Sequence, residues 1–326
     1  MLDLHRLRLL RELKHRGTLA AVADALSYSP SSISQQLAVL EKEAGVRLLE
    51  PVGRRVRLTP QAEILVAHTE AVLERLERAE AELAASLTDI TGVLRIAAFQ
   101  TAALALVPEA LDRLRERHPA LRVEVTECEP ETALPALTAR DFDLVIAEEY
   151  PGSPEARHAE IELEDLCRDE IRLALPGTGP PARPDASAPL PAEGLPWVME
   201  PAGTASRRWA TALCRGAGFE PDVRYESSDL LLHLRLVEQG HAAALLPDLV
   251  WDGRAANVHL RRLPDGLRTR RVFTAARRGS GAHPAIRAGR EALAVGVGLR
   301  DSRGPSPDSF GVFPDGDESA GRSQSY

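Results

Sequence analysis

Ser31, Gln35, Ala38 and Lys42 share one face of residues 30–44 when these are laid on a helical wheel, with Ser32 and Ser34 on the flanks. A helix face this small and polar can enter the major groove of DNA. There, Ser and Gln exchange hydrogen bonds with base edges, Gln matching adenine N6 and N7, and the Ala methyl can touch a thymine methyl. Further along, Arg54, Arg55 and Arg57 stand in GRRVRL, where they can reach phosphates or a narrow minor groove. Thr18, Tyr28 and Ser29, at the helix starts and the turn between them, complete the residues assigned to DNA contact. An ordinary solvated helix face would carry the same residue types, so the elements around these residues must decide.

Residues 3–16 form helix on the spacing of Leu4, Leu7, Leu10 and Leu13, and Gly17 ends the run. Thr18 caps a second helix carrying Leu19, Val22, Ala23 and Leu26. Ser29 caps a third, with Pro30 in its first position and Gly45 at its end. Ile33, Leu37, Leu40 and Ala44 form the inner face of that third helix. The pair reads as a helix-turn-helix. The segment VRLLEPVGRRVRLTP then reads as two strands joined at Pro-Val-Gly, a basic hairpin placed where a wing would stand. Thr59-Pro60 opens a long helix to about Thr88. In it Leu65, Thr69, Val72, Leu76, Ala79, Leu83 and Ser86 are spaced 4, 3, 4, 3, 4, 3. That heptad seam predicts a dimer held by Leu65, Val72, Leu76, Ala79 and Leu83, with packing against its own chain as the alternative.

Charge separates the same regions. The 326 residues carry a net charge of -8, yet residues 1–60 hold ten basic and six acidic residues. Residues 61–87 hold two basic and six acidic residues. A basic head on an acidic body points to a polyanionic partner. Hydrophobic residues at 44% and charged residues at 27% are ordinary for a globular chain, and the length predicts about two domains. No run reaches the ~18 apolar residues of a membrane span. The N-terminal MLDLHRLRLLRELKHRG lacks the uncharged core of a signal peptide, so a cytoplasmic protein without membrane contact is expected.

Strands alternate with helices in the second region. Residues 93–99, 121–127 and 142–148 read as strands, with a helix at 102–117 between the first two. Residues 176–196 read as loop. Strands at 195–201, 223–227 and 242–247, helices at 206–216 and 230–240, and a return strand at 270–277 follow. This pattern predicts a parallel α/β sheet. Ligands of such sheets sit beyond strand ends and at helix N-termini. The loops there hold Phe99, Gln100 and Thr101; Glu129 and Thr132; Glu200, Gly203 and Thr204; and Ser227 and Ser228.

The order TLAAVADALSYSPSSISQQLAVLEKEAGVRLLE, then GRRVRLTP, then a long helix, resembles the LysR-type transcriptional regulators. GVLRIAAF and GHAAALLPDLV continue the resemblance, which covers roughly residues 1–298 and is strongest in the first 60. Gln35, Leu49-Glu50 and Ala62 depart from the family's commoner Arg, Phe-Arg and Gly. The resemblance implies an α/β multidomain fold: a winged helix-turn-helix at 1–60, a linker and dimerisation helix at 61–88, and an effector domain like periplasmic binding proteins at 92–298. Within the latter, subdomain I would hold about 92–165 with 270–298, and subdomain II about 166–269. It also implies that the four loops line an effector cleft. The expected partners are double-stranded promoter DNA, a small polar or anionic effector, RNA polymerase, and a second copy in a dimer or tetramer. Residues 299–326, rich in Gly, Pro, Ser and Asp, are expected to be a disordered tail.

Catalytic signatures are missing from the sequence. It has no GxxxxGK, GxSxG or HExxH motif, and the nine histidines lack metal spacing. Cys128, Cys167 and Cys214 are too far apart in sequence for a zinc pair. They read as idle thiols, a redox switch between two of them being the alternative. No catalytic set, metal or cofactor is therefore expected. An α/β enzyme or solute carrier whose head only oligomerises is the competing reading.

Overall fold

The computed structural model describes residues 1–303 apart from 27, 54, 153–159, 178–189, 191, 252–257 and 265. The head begins with α1 (Leu4–Arg16). Asp3 caps it by accepting from the Arg6 amide, and Gly17 closes it at φ 75°. In α2 (Leu19–Leu26) the Thr18 hydroxyl accepts from the Ala21 amide, and in α3 (Pro30–Ala44) Ser29 accepts from Ser32. These caps satisfy amides that have no partner inside the helix. Strands β1 (Leu49–Val52) and β2 (Arg55–Leu58) form the antiparallel hairpin. Leu10, Leu13, Val22, Ile33, Leu37, Leu40 and Leu48 bury their side chains between these elements and the start of α4 (Pro60–Ala85).

Helix α4 lies against its own chain along Ala62, Val66, Thr69, Leu73, Glu77 and Ala81. Thr69, expected on the seam, belongs to this inner row. Val72 and Leu83 stay 46% and 69% exposed on the neighbouring face. The helix stops at Ala85, three residues before the expected end at Thr88.

The effector domain opens with β3 (Gly92–Ala98), α5 (Gln100–Ala105), α6 (Val107–Arg117), β4 (Leu121–Glu127), α7 (Pro130–Thr138) and β5 (Leu144–Glu149). The single helix expected at 102–117 is broken at Leu106. Pro108 has no amide hydrogen to continue the ladder of α5, and its ring crowds the preceding turn. Next come β6 (Ile161–Pro176), β7 (Pro196–Met199), α8 (Ala205–Gly216), β8 (Asp222–Glu226), α9 (Leu230–Glu238), β9 (Ala244–Pro247), β10 (Val258–Arg262), β11 (Thr269–Arg277) and α10 (Pro284–Arg303).

The main sheet runs β10-β6-β11-β5-β3-β4, with β9 also paired to β6. β3 is parallel to β4 and β5, but β11 is antiparallel to β5 and β6, so the expected parallel sheet is mixed. The long strand β6 falls where the sequence predicts no strand. Its first half pairs with β11 and reads as polar because one face is open to solvent. From Ile171 it pairs with β9 and β10. The expected subdomain boundary at 165/166 therefore lies inside one continuous strand. Subdomain I packs around Leu94, Ile96, Leu106, Leu144 and Ile286, and subdomain II around Ile171, Leu173, Trp197 and Trp209. α10 runs to Arg303, past the expected start of the tail at 299. A helix anchored by buried Leu293 extends at little cost per added residue. Residues 304–326 lie outside the described residues.

Candidate functional site

Two surfaces carry the expected site residues. On α3, Ser31, Ser34, Gln35, Ala38 and Lys42 are exposed and Ser32 is half-buried, while Ile33, Leu37 and Leu40 are buried behind them. Neighbouring carboxylates hold this helix in place. Glu43 accepts from Arg6 of α1 at 3.1 and 2.5 Å, and this hydrogen-bonded guanidinium holds the carboxyl below its usual range. The Glu41 carboxylate accepts from the Leu48 and Leu49 amides at 2.8 and 3.0 Å, fastening the root of the hairpin to α3. Neither contact is visible in sequence, since the partners stand on different elements.

Tyr28 is exposed beside His5, with ring centroids 5.9 Å apart. The hydroxyls of Thr18 and Ser29 already serve as helix caps. On the hairpin, Arg57 is largely exposed but pairs with Glu50 at 2.7 Å. Arg55 stands in β2 opposite Val52, and Arg54 lies outside the described residues.

The second surface is a cleft where β3, β4, β5 and β7 end, β11 begins and the middle of β6 passes. Arg270 is buried at its floor. Its guanidinium donates to Asp169 at 2.9 and 2.7 Å, to Thr101 at 2.7 Å and to Glu148, and sits 5.0 Å from the centre of the Phe99 ring. The Tyr150 hydroxyl donates to Glu148 at 3.0 Å. Burial alone would lower the pKa of Arg270, but Glu148 and Asp169 hold it well above its ordinary value. Thr101 and Phe99, expected to contact a ligand, are buried and committed to Arg270.

The other expected residues lie nearer the opening. Gln100 spans the two sides, donating to Asp229 at 2.7 Å and accepting from the Leu230 amide at 3.3 Å. Glu131 does the same from α7, accepting from the Ala205 amide at the start of α8 at 2.7 Å. Thr204 caps α8, and the Gly203 carbonyl accepts from Arg208. Ser227 accepts from the Asp229 amide at 3.0 Å, while Thr132 and Ser228 are exposed. Burial, then repulsion from Glu148, pushes Glu129 up to about 7 and Glu200 up to about 8. Arg270, Glu148 and Asp169 escape sequence reading because Arg270 stands more than a hundred residues from either carboxylate, and Tyr150 joins them through its neighbour Glu148.

Between head and effector domain lies a cluster of charges. Arg11 of α1 donates to the Thr138 carbonyl and to Glu160, both at 2.9 Å. His15, Glu70 and Glu160 bring ligand-type atoms within 4.8 Å of one another, which the scattered histidines did not announce. Arg11 and Lys14 address the same carboxylates, so the group works as an ion-pair cluster. The three cysteines are free thiols in three separate core clusters. Burial pushes the Cys214 thiol up to about 12.

The family model described as LysR substrate binding domain matches residues 88–296. The model described as bacterial regulatory helix-turn-helix protein, lysR family, matches residues 4–63. The chain belongs to the LysR family. It is a LysR-type transcriptional regulator, a DNA-binding protein with an effector-binding domain. Among relatives, the transcriptional dual regulator GltC of Bacillus subtilis is 27% identical over 247 residues, 76% of this chain and 81% of that protein. The probable regulator LrrA of Synechococcus elongatus is 30% identical over 251 residues, 76% of this chain and 82% of that one. In fold, the chain is similar to full-length OxyR from Pseudomonas aeruginosa, with a TM-score of 0.60, 20% identity and coverage of 90% and 95%. It is also similar to full-length CbnR in complex with its target DNA, with a TM-score of 0.51, 21% identity and coverage of 90% and 100%. Among the described residues, no helix is long and apolar enough to cross a membrane.

Proposed function

We propose that this LysR-type regulator binds promoter DNA as a two-fold assembly, reading sequence with α3 and holding the backbone with its hairpin. One observation carries the reading: the polar row Ser31, Ser34, Gln35 and Ala38 is exposed while the apolar face of the same helix closes the core of the head. In this reading Gln35 addresses a base edge. Ser31, Ser32 and Ser34 serve bases or phosphates, and Arg54, Arg55 and Arg57 serve phosphates. The apolar row Leu65, Val72, Leu76, Ala79 and Leu83 on α4, with Val72, Ala79 and Leu83 exposed and Leu65 and Leu76 half-buried, takes a second copy of the chain, which suits a palindromic site. Effector domains can extend a dimer to a tetramer. A small molecule enters the cleft and changes the subdomain angle, and through it the spacing of the heads on DNA in the cytoplasm.

The test is footprinting on DNA upstream of the gene that encodes the chain, alongside anisotropy titrations against that fragment and a random duplex. Protection of one or two inverted repeats is expected. Equal affinity for both duplexes at physiological salt contradicts the reading.

A further inference from the structure

Resting on the DNA-binding reading, we propose that Glu41 is a positioning residue. It fixes the hairpin against α3 and α4, and so decides where the hairpin arginines meet the DNA backbone. The hairpin is weak by itself. β1 and β2 have four residues each, and Pro51 has no amide hydrogen to give to the ladder. Leu49, Val56 and Leu58 pack against the core of the head but are only half-buried. A two-stranded hairpin is marginal in water, so its place depends on what holds its root.

The root is tied to both helices. The Glu41 carboxylate takes the Leu48 and Leu49 amides on a single oxygen, at 2.8 and 3.0 Å. Thr59, the cap of α4, donates its hydroxyl to the Arg47 carbonyl and its amide to the Leu48 carbonyl, both at 2.9 Å. Buried Leu48 is thus bound through its amide to α3 and through its carbonyl to α4. A second observation concerns charge. Glu41 stands in the last turn of α3, where a carboxylate opposes the helix dipole, and a DNA-binding head gains nothing from another negative charge. The two charge-assisted amide bonds are what the carboxylate gains there. The hairpin also works as a lever. Strands of this length reach about 13 Å from the root, so a tilt of about 10° moves the tip by about 2 Å. A hydrogen bond to a phosphate does not survive such a shift. Arg55 and Arg57 stand in β2 and move with it.

Two substitutions in the full chain separate position from charge. Glu41→Asp keeps the charge and withdraws the acceptor by one methylene. Glu41→Gln removes the charge and keeps an acceptor oxygen in reach. Both are titrated against the DNA fragment upstream of the encoding gene and a random duplex at two salt concentrations, with hydrogen exchange alongside. Glu41→Asp should weaken binding to both duplexes about three- to tenfold and flatten the salt dependence by about one unit of slope. Its exchange should speed up at residues 48–58 and stay unchanged in α1 and α2. Glu41→Gln should bind at least as tightly as the parent chain, with parental exchange at 48–58. Parental affinity and slope in Glu41→Asp, or an equal loss in both variants, overturns the proposal. Faster exchange in α1 and α2 of Glu41→Asp would make Glu41 a residue of the fold and overturns it too. A parent chain that binds both duplexes equally defeats the sequence-reading conclusion instead, and the variants compared on the random duplex still decide the role of Glu41.

Discussion

Arg11, in the first helix of the head, donates to the main-chain carbonyl of Thr138 at the end of α7 at 2.9 Å. The same guanidinium reaches Glu160 at 2.9 Å, and Glu77 of α4 binds Arg277 and Arg140 at 2.8 and 2.7 Å. Gly279 lets the loop after β11 touch α4 so closely that a Cβ there would stand 2.6 Å from the Glu74 carbonyl. Head, linker helix and subdomain I are thus joined by buried polar contacts and not by the linker alone.

Replacing Arg11 with Met should loosen that joint. Removing one partner of a buried ion pair costs about 3–5 kcal/mol, because the other charge stays buried. Hydrogen exchange should speed up around residues 136–141 and in α1, and stay unchanged in β7 and α8. Equal exchange in both proteins would mean that the contact carries no docking energy.

Two substitutions on α4 should behave oppositely. Leu83 is 69% exposed in the single chain, so Leu83→Asp should change fold stability by no more than about 0.5 kcal/mol while disrupting assembly. Glu77→Ala removes the ion pair of Arg140 and leaves Arg277 to Asp143 and two main-chain carbonyls, and should destabilise the chain by about 1–3 kcal/mol. Light scattering and thermal unfolding check the pair. A Leu83→Asp protein that still dimerises at micromolar concentration moves the interface elsewhere.

On DNA, Gln35→Ala should lose about 1–3 kcal/mol of operator preference and keep most non-specific affinity. Glu50→Gln should strengthen binding to every duplex, because Arg57 is freed from its 2.7 Å pair and one negative charge is removed. Titrations at two salt concentrations separate these effects. Equal weakening of operator and random duplex by Gln35→Ala would remove α3 as the sequence reader.

Stability should fall as pH rises. Glu129 and Glu200 have folded pKa values of about 7 and about 8, against about 4.3 when unfolded. Between those values the folded chain holds protons that the unfolded chain has released, so raising the pH favours unfolding. This contribution is fully present below about pH 4.3 and is lost as pH passes 7 and 8. A Glu129→Gln, Glu200→Gln double variant should show a flatter melting temperature across this range. An identical slope would show that neither group titrates as described.

Local features of the fold were readable because their physics is local. Ser29-Pro30, Thr59-Pro60, Gly17 and Gly45 mark helix ends through neighbours a few residues away. The exposed row on α3 follows from helical periodicity alone. Strand β6 was hidden because its alternation is diluted by Glu162, Glu164 and Asp165 on an open face. Arg270 could not be singled out among adjacent arginines, since Asp169 and Glu148 meet it only through the sheet register. Pro108 marks the break between α5 and α6 in the same local way.

Gln100 and Glu131 hold the two sides of the cleft together through bonds internal to the chain. A ligand that has to part the two sides binds only during the fraction of time in which those bonds are broken. Its apparent dissociation constant is the intrinsic one divided by that fraction, so each 1.4 kcal/mol favouring the strapped form raises it about tenfold. The concentration at which the regulator responds is then set partly by two side chains that need never touch the ligand. Changing either would retune the response threshold without changing what is recognised.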